Sequence, residues 1–323
     1  MRRLASHRFE WIALGVYALL VFGIIPFHEP WRDEAQSWLI ARDLPLGGIL
    51  RQMGYEGTPG LWHLLQAPLA KSGLPFTSLL VLNAAVACAA VALLLFRAPF
   101  RPWQKAAFAF SFVMLAELGV VARNYGLAAL LLFSAAALFP ARARRPLLYA
   151  TAVALLANSF TTMSGVAMLL FALFALETWR AALERPRILA AWGIMAAGIA
   201  LAALQVRPPP DVFNQGFAPE FHPKAPLEML RAVFFGGSGG AWTGPLAVLG
   251  FWWLLRDLRP RRDLLAVTLI SFTTWQYLFV LKYHASFRHY ALMGVLFVAM
   301  LWILRAESAG AIVPLASRWP RVR

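Results

Sequence analysis

Apolar runs close to twenty residues long follow one another through most of this chain. Coiled into a helix, a run of that length spans about 30 Å, the thickness of a bilayer's hydrocarbon core, and exceeds what a soluble core helix needs. Composition agrees: 60% of the 323 residues are hydrophobic and 14% charged, against roughly 45–50% and 25% in a soluble domain. Soluble globular, disordered and fibrous folds are excluded. The fold class is all-α, a polytopic transmembrane helical bundle. No period of 20–50 residues repeats and no low-complexity stretch stands apart, so residues 1–323 read as a single integral membrane domain.

The formal charge of +15 invites a nucleic-acid reading, but Lys and Arg fall in short clusters between the apolar runs instead of on one face. That distribution encodes topology, because loops retained in the cytoplasm keep extra Lys and Arg. No nucleic-acid partner is expected. The single cysteine, Cys88, lies inside an apolar run, which excludes a disulfide framework and a Cys-based zinc site.

Charge sets direction along the chain. A basic start leads into an uncleaved first helix at 11–27, inside to outside. The first outer loop, 28–75, is polar over 28–58, then carries an apolar stretch at 59–70 that is too short to span and is expected to lie on or dip into the outer leaflet as a juxtamembrane helix. Crossings follow at 76–96, 106–121, 127–139, 147–162, 166–179 and 188–204. A long outer loop, 205–242, holds an amphipathic helix around 226–235 and the run Gly-Gly-Ser-Gly-Gly, read as a flexible hinge. Crossings at 245–255, 264–281 and 290–304 complete about ten, with both termini inside. On this arrangement 20 of the 30 Lys and Arg face inside and nine of the 15 acids face outside, as positive-inside asymmetry requires.

The first outer loop is the densest chemical site. Asp33 and Glu34 are adjacent carboxylates just past the first helix, flanked by His28, Trp31, Arg32 and Trp38. Neighbours on a helix point about 100° apart, so they do not form a carboxylate dyad. One of them facing a membrane-level cavity would serve as a general base. The competing reading, favoured by residue type alone, is a solvated helix N-terminus where acids suit the dipole. His28, His63, His222, His284 and His289 all fall on the outer side. A divalent cation held by histidines with Asp33 or Glu56 is the one cofactor left open, but no HExxH or comparable spacing exists, and separate hydrogen-bonding histidines fit better. Arg123, Lys282 and Arg288 sit at outer helix ends, where cations mark an anion or a pathway, or snorkel to headgroups. Glu117 precedes Arg123 by six residues and is expected to pair with it or with a substrate.

HEPWRDEAQSW (28–38) after one helix, followed by GYEGTPGLWHLL (54–65), resembles the GT-C superfamily of polyprenyl-phosphate-sugar-dependent membrane glycosyltransferases. The closest likeness is to bacterial members of the protein O-mannosyltransferase and aminoarabinose-transferase type. Asp33-Glu34-Ala35 matches the acidic pair that opens the first outer loop. Thr58-Pro59-Gly60-Leu61-Trp62 matches the Pro-Pro-Leu-Tyr-like start of the next membrane-level helix, with Gly60 in place of the second proline. VVARNYGLAALLLF and SFRHYALMGVLF resemble later family stretches. The likeness covers mainly residues 10–135, with a weaker echo at 282–300. Two features depart from the family: the chain is shorter than most members, and the second outer turn carries Arg123-Asn124 with no acid of its own.

The resemblance implies a sugar donor on a polyprenyl phosphate, a glycan, lipid or protein acceptor, and a bacterial inner-membrane enzyme whose site faces outside. Asp33 would be the general base of an inverting displacement, with Glu34 as the second catalytic carboxylate. Arg288, Arg123 or Lys282 would stabilise the departing lipid phosphate. His28, Arg32, Glu56, His63, Glu117 and His289 complete the expected substrate contacts, and no metal ligands are assigned. The alternative is a transporter or flippase for a lipid-linked or anionic solute, in which the same charges would line a path. Internal duplication would mark that class, and none is seen. A lipid phosphatase would need a phosphate-binding motif that KYHASFRH matches only superficially, and a non-catalytic scaffold would tolerate Asp33→Asn.

Overall fold

The structure, a computed structural model, describes residues 7–182, 185–211, 221–237, 239–282 and 285–308. Expectations resting on Arg2, Arg3, residues 212–220, Ser238, His284 and the tail beyond Ser308 lie outside the described residues. Among the described residues every regular element is helical: α1 Arg8–Ile24, α2 Arg32–Asp43, α3 Leu46–Glu56, α4 Leu61–Lys71, α5 Thr77–Arg97, α6 Pro102–Ala109, a π-helix π1 Val113–Val120, α7 Asn124–Leu138, α8 Pro146–Ala157, α9 Thr161–Ala182, α10 Pro186–Gln205, α11 Ala225–Phe235, α12 Thr243–Leu258, α13 Arg262–Leu281 and α14 Phe287–Ser308.

Among the described residues seven helices are long and apolar enough to cross a membrane, those at α1, α5, α7, α9, α10, α13 and α14. The 11 residues of α4 make a rod of roughly 16 Å, half a bilayer, in keeping with the stretch expected to be too short to span. Three other expected crossings are not long helices. α8 has 12 residues and α12 has 16. The 106–121 stretch, expected as one helix, breaks at Phe110 and Ser111 into α6 and π1.

The last carbonyls of a helix have no partner within it, and two polar side chains in the apolar helices donate to carbonyls of π1. Tyr17 of α1 donates its hydroxyl to Met114 O at 2.6 Å, and Asn83 of α5 donates Nδ2 to Leu118 O and Gly119 O at 3.1 and 3.0 Å. Gly119 lets α1 come this close, because a Cβ there would lie 3.0 Å from both the Tyr17 hydroxyl and Val21. Small residues do the same at α8–α10, where a Cβ on Gly198 would meet Ala154 at 2.5 Å. From that contact a polar relay runs toward α4. Asn158 donates to Gly198 O, Gln205 donates to Asn158 Oδ1, and the Gly60 N–H donates to Gln205 Oε1 at 2.9 Å. A proline at position 60 would have no N–H to give, and a Cβ there would lie 3.1 Å from Met53 and 3.2 Å from Gln205 Oε1.

Contacts between distant elements sort the helix ends into two groups. At one end meet the start of α2, the π1–α7 junction and the start of α14, through Asp33, Arg123 and Arg288. At the other meet α1, α6 and the end of α14, through Glu10–Lys105 at 3.4 Å and Arg305–Gln104 at 3.0 Å. The glycine run expected as a hinge begins as a fixed helix stop. Gly236 and Gly237 have φ of +64° and +74°, and their N–H groups cap Ala232 O and Arg231 O at the end of α11.

Candidate functional site

Arg32, Asp33 and Glu34 form the first turn of α2, and the rotation between neighbours sends the two acids to different partners. The Glu34 side chain is fully buried (0% exposed). One oxygen accepts the Trp31 N–H at 2.7 Å, the other accepts the N–H of Ala122, and His28 Nε2 lies 2.9 and 3.1 Å from the two. A solvated helix N-terminus therefore does not describe Glu34. The Ala122 N–H is available because the chain is extended between π1 and α7, with Val121 at φ −70°, ψ 113°.

Asp33 is 31% exposed and faces two guanidiniums from distant sequence. Its Oδ2 lies 3.4 Å from Arg288 Nη2 and 3.8 Å from Arg123 Nη1, and Arg123 Nη1 also donates to the Asp33 backbone carbonyl at 2.8 Å. The Arg288 guanidinium stacks over the Trp31 ring, 4.7 Å from its centre, while its buried Nε has no hydrogen-bond partner among the described residues. Glu34 thus ties the Ala122 backbone to α2 while Asp33 meets the very next side chain, Arg123.

His289, one residue past Arg288, accepts the Ser286 N–H at Nδ1 (3.0 Å). That leaves its proton on Nε2, which donates to the Tyr125 hydroxyl at 3.2 Å. His63, in α4, is buried, and neither ring nitrogen has a hydrogen-bond partner among the described residues. Burial, reinforced by the charge of nearby Arg123, pushes it down to about 4. Arg288 is close enough to Glu117 for its charge to act there, whereas the expected Glu117–Arg123 pair does not form among the described residues.

Of the remaining expected contacts, one reaches this cluster from solvent and two lie apart from it. Arg32 is 93% exposed with its Nε 3.9 Å from Asp33 Oδ1. Glu56, at the end of α3, takes hydrogen bonds from Gln36 and Gln52 at 2.8 and 3.3 Å. Lys282 is exposed at the end of α13. Among the described residues no three His, Cys, Asp or Glu side chains converge as a metal site requires, so the cation left open by the sequence gains no ligand set.

Asn124 escaped the sequence reading. Its Nδ2 bridges Thr58 Oγ1 and Ser159 O at 2.9 and 3.0 Å, and its buried Oδ1 has no partner among the described residues. The only signal was a polar residue in a turn too short to be solvated. Comparison of the chain with protein-family models, with curated proteins and with solved structures finds no match.

Proposed function

We propose that this protein is a membrane glycosyltransferase of GT-C type, moving a sugar from a polyprenyl-phosphate donor to an acceptor hydroxyl at the outer face of a bacterial inner membrane. The observation that carries the reading is a half-buried carboxylate, Asp33, shared by two guanidiniums brought from 90 and 255 residues away. Asp33 takes the proton of the acceptor hydroxyl as its oxygen attacks the anomeric carbon. The bond from that carbon to the phosphate oxygen breaks, the configuration inverts, and the lipid phosphate leaves with the electron pair. Arg288 and Arg123 turn from the carboxylate to the developing charge, the larger part of such a barrier being electrostatic. Glu34 orders the Asp33–Arg123 junction and takes no part in proton transfer.

An apolar groove supports a lipid donor. Two adjoining hollows of about 370 and 250 Å³ share Phe108, Ser111, Val233 and Phe234. They run between α6–π1, α11 and α14 from Arg305 to Phe112, whose ring meets Phe287, the neighbour of Arg288, at 5.5 Å. On this reading the three shorter segments α6–π1, α8 and α12 cross together with the seven long helices, ten crossings in all, with the Asp33 end outside.

The test is transfer by the purified full chain in proteoliposomes, offered a panel of radiolabelled polyprenyl-phosphate sugars. Asp33→Asn is expected to lower the turnover by about 10²–10⁴, the usual worth of a positioned base, with the thermal midpoint unchanged. Arg288→Ala should raise the donor KM more than the acceptor KM. Unimpaired transfer by Asp33→Asn removes the assigned base.

A further inference from the structure

We propose that a cleft at the end of the molecule opposite Asp33 binds the headgroup of an anionic phospholipid, independently of any sugar transfer. The cleft, about 430 Å³, is lined by Arg259, Arg262, Leu265, Ala266 and Leu269. Arg262, Leu265, Ala266 and Leu269 recur at helical spacing along one face of α13, and Arg259 closes the end from the α12–α13 turn. Cations therefore stand at the mouth of an apolar strip along a helix long enough to cross the membrane. That is the geometry of a phosphate with acyl chains trailing beneath it.

Local charge commits the site to an anion. Arg261 is taken by Asp263, while Arg259 and Arg262 form no ion pair among the described residues. The remaining nearby acid, Asp257, is exposed. The cleft also sits at interface depth. Exposed Trp252 and Trp253 stand on α12 about two turns before Arg259, with the Arg256 guanidinium 5.7 and 4.7 Å from their rings, an aromatic and basic belt of the kind that marks the headgroup level. A basic recess between membrane helices at that depth is suited to acidic headgroups. Generic snorkelling explains single arginines, but not two that converge on a lined hollow.

Native mass spectrometry of the detergent-solubilised full chain, titrated with phosphatidylglycerol and with phosphatidylcholine of the same acyl chains, tests the proposal. One phosphatidylglycerol per chain should bind, and the Arg259→Ala/Arg262→Ala double variant should weaken it about 30-fold. An Arg144→Ala/Arg145→Ala variant, on exposed arginines elsewhere, should bind as the parent does. Ala266→Trp fills the strip without touching charge and should also lose the lipid, which covers a double variant that fails to fold. Equal loss from both arginine pairs, retention by Ala266→Trp, or displacement by equimolar glycerol 3-phosphate, which lacks chains, would overturn the assignment.

Discussion

Glu34 has little acceptor capacity left for a substrate. Its oxygens already take two backbone N–H groups and the His28 ring, bonds to a charged group worth about 1.5–3 kcal/mol each. His63 stands at the other extreme: it is buried beside Arg123 with both nitrogens unpartnered among the described residues. The folded chain keeps this imidazole neutral down to about pH 4, whereas the unfolded chain protonates it from about 6.5. Below 6.5 the unfolded state binds the extra proton, so His63 favours unfolding increasingly as pH falls toward 4 and contributes nothing above 6.5. In thermal scans at pH 7.5 and pH 5, the drop in midpoint should be smaller for His63→Gln than for the parent. An equal drop in both would show that the ring is solvated.

At the scale of elements, the π-helix is what delivers the site. A regular α-helix through 113–120 would rotate the residues that follow by a large fraction of a turn and withdraw the Ala122 N–H from Glu34. Tyr17 and Asn83 hold its Met114, Leu118 and Gly119 carbonyls, so Asn83 supports the site from a neighbouring helix without touching it. Asn83→Leu abandons two buried acceptors, each costing about 1–3 kcal/mol when unpaired. The expected result is a lower thermal midpoint together with reduced transfer. A variant as stable and active as the parent would show that π1 holds itself. Little of this was legible in advance. Asn83 was visible as a polar residue in an apolar run, but its partners were not, because no side-chain periodicity announces a π turn. The same blindness made 106–121 look like one helix. The short α4 was legible, since helix length follows directly from the length of the apolar stretch.

At the scale of the molecule, the alternation of charge along the sequence anticipated which helix ends come together. Asp33, Arg123 and Arg288 were assigned to one side and meet; Glu10, Lys105 and Arg305 were assigned to the other and also share an end. Snorkelling and pairing make this possible, because each charged end must stay near water or near a partner. Which end faces the cytoplasm is a separate matter: the basic excess predicts the Lys105 end, and the proposed enzyme requires Asp33 to lie across the membrane from it. The single cysteine makes the test clean. With Cys88 replaced by serine, Glu29→Cys and Arg144→Cys place one thiol at an exposed position on each side. A membrane-impermeant maleimide should label position 29 in intact cells and position 144 only after permeabilisation. The reverse pattern would put Asp33 in the cytosol, where a base serving lipid-linked donors at the outer leaflet could not act.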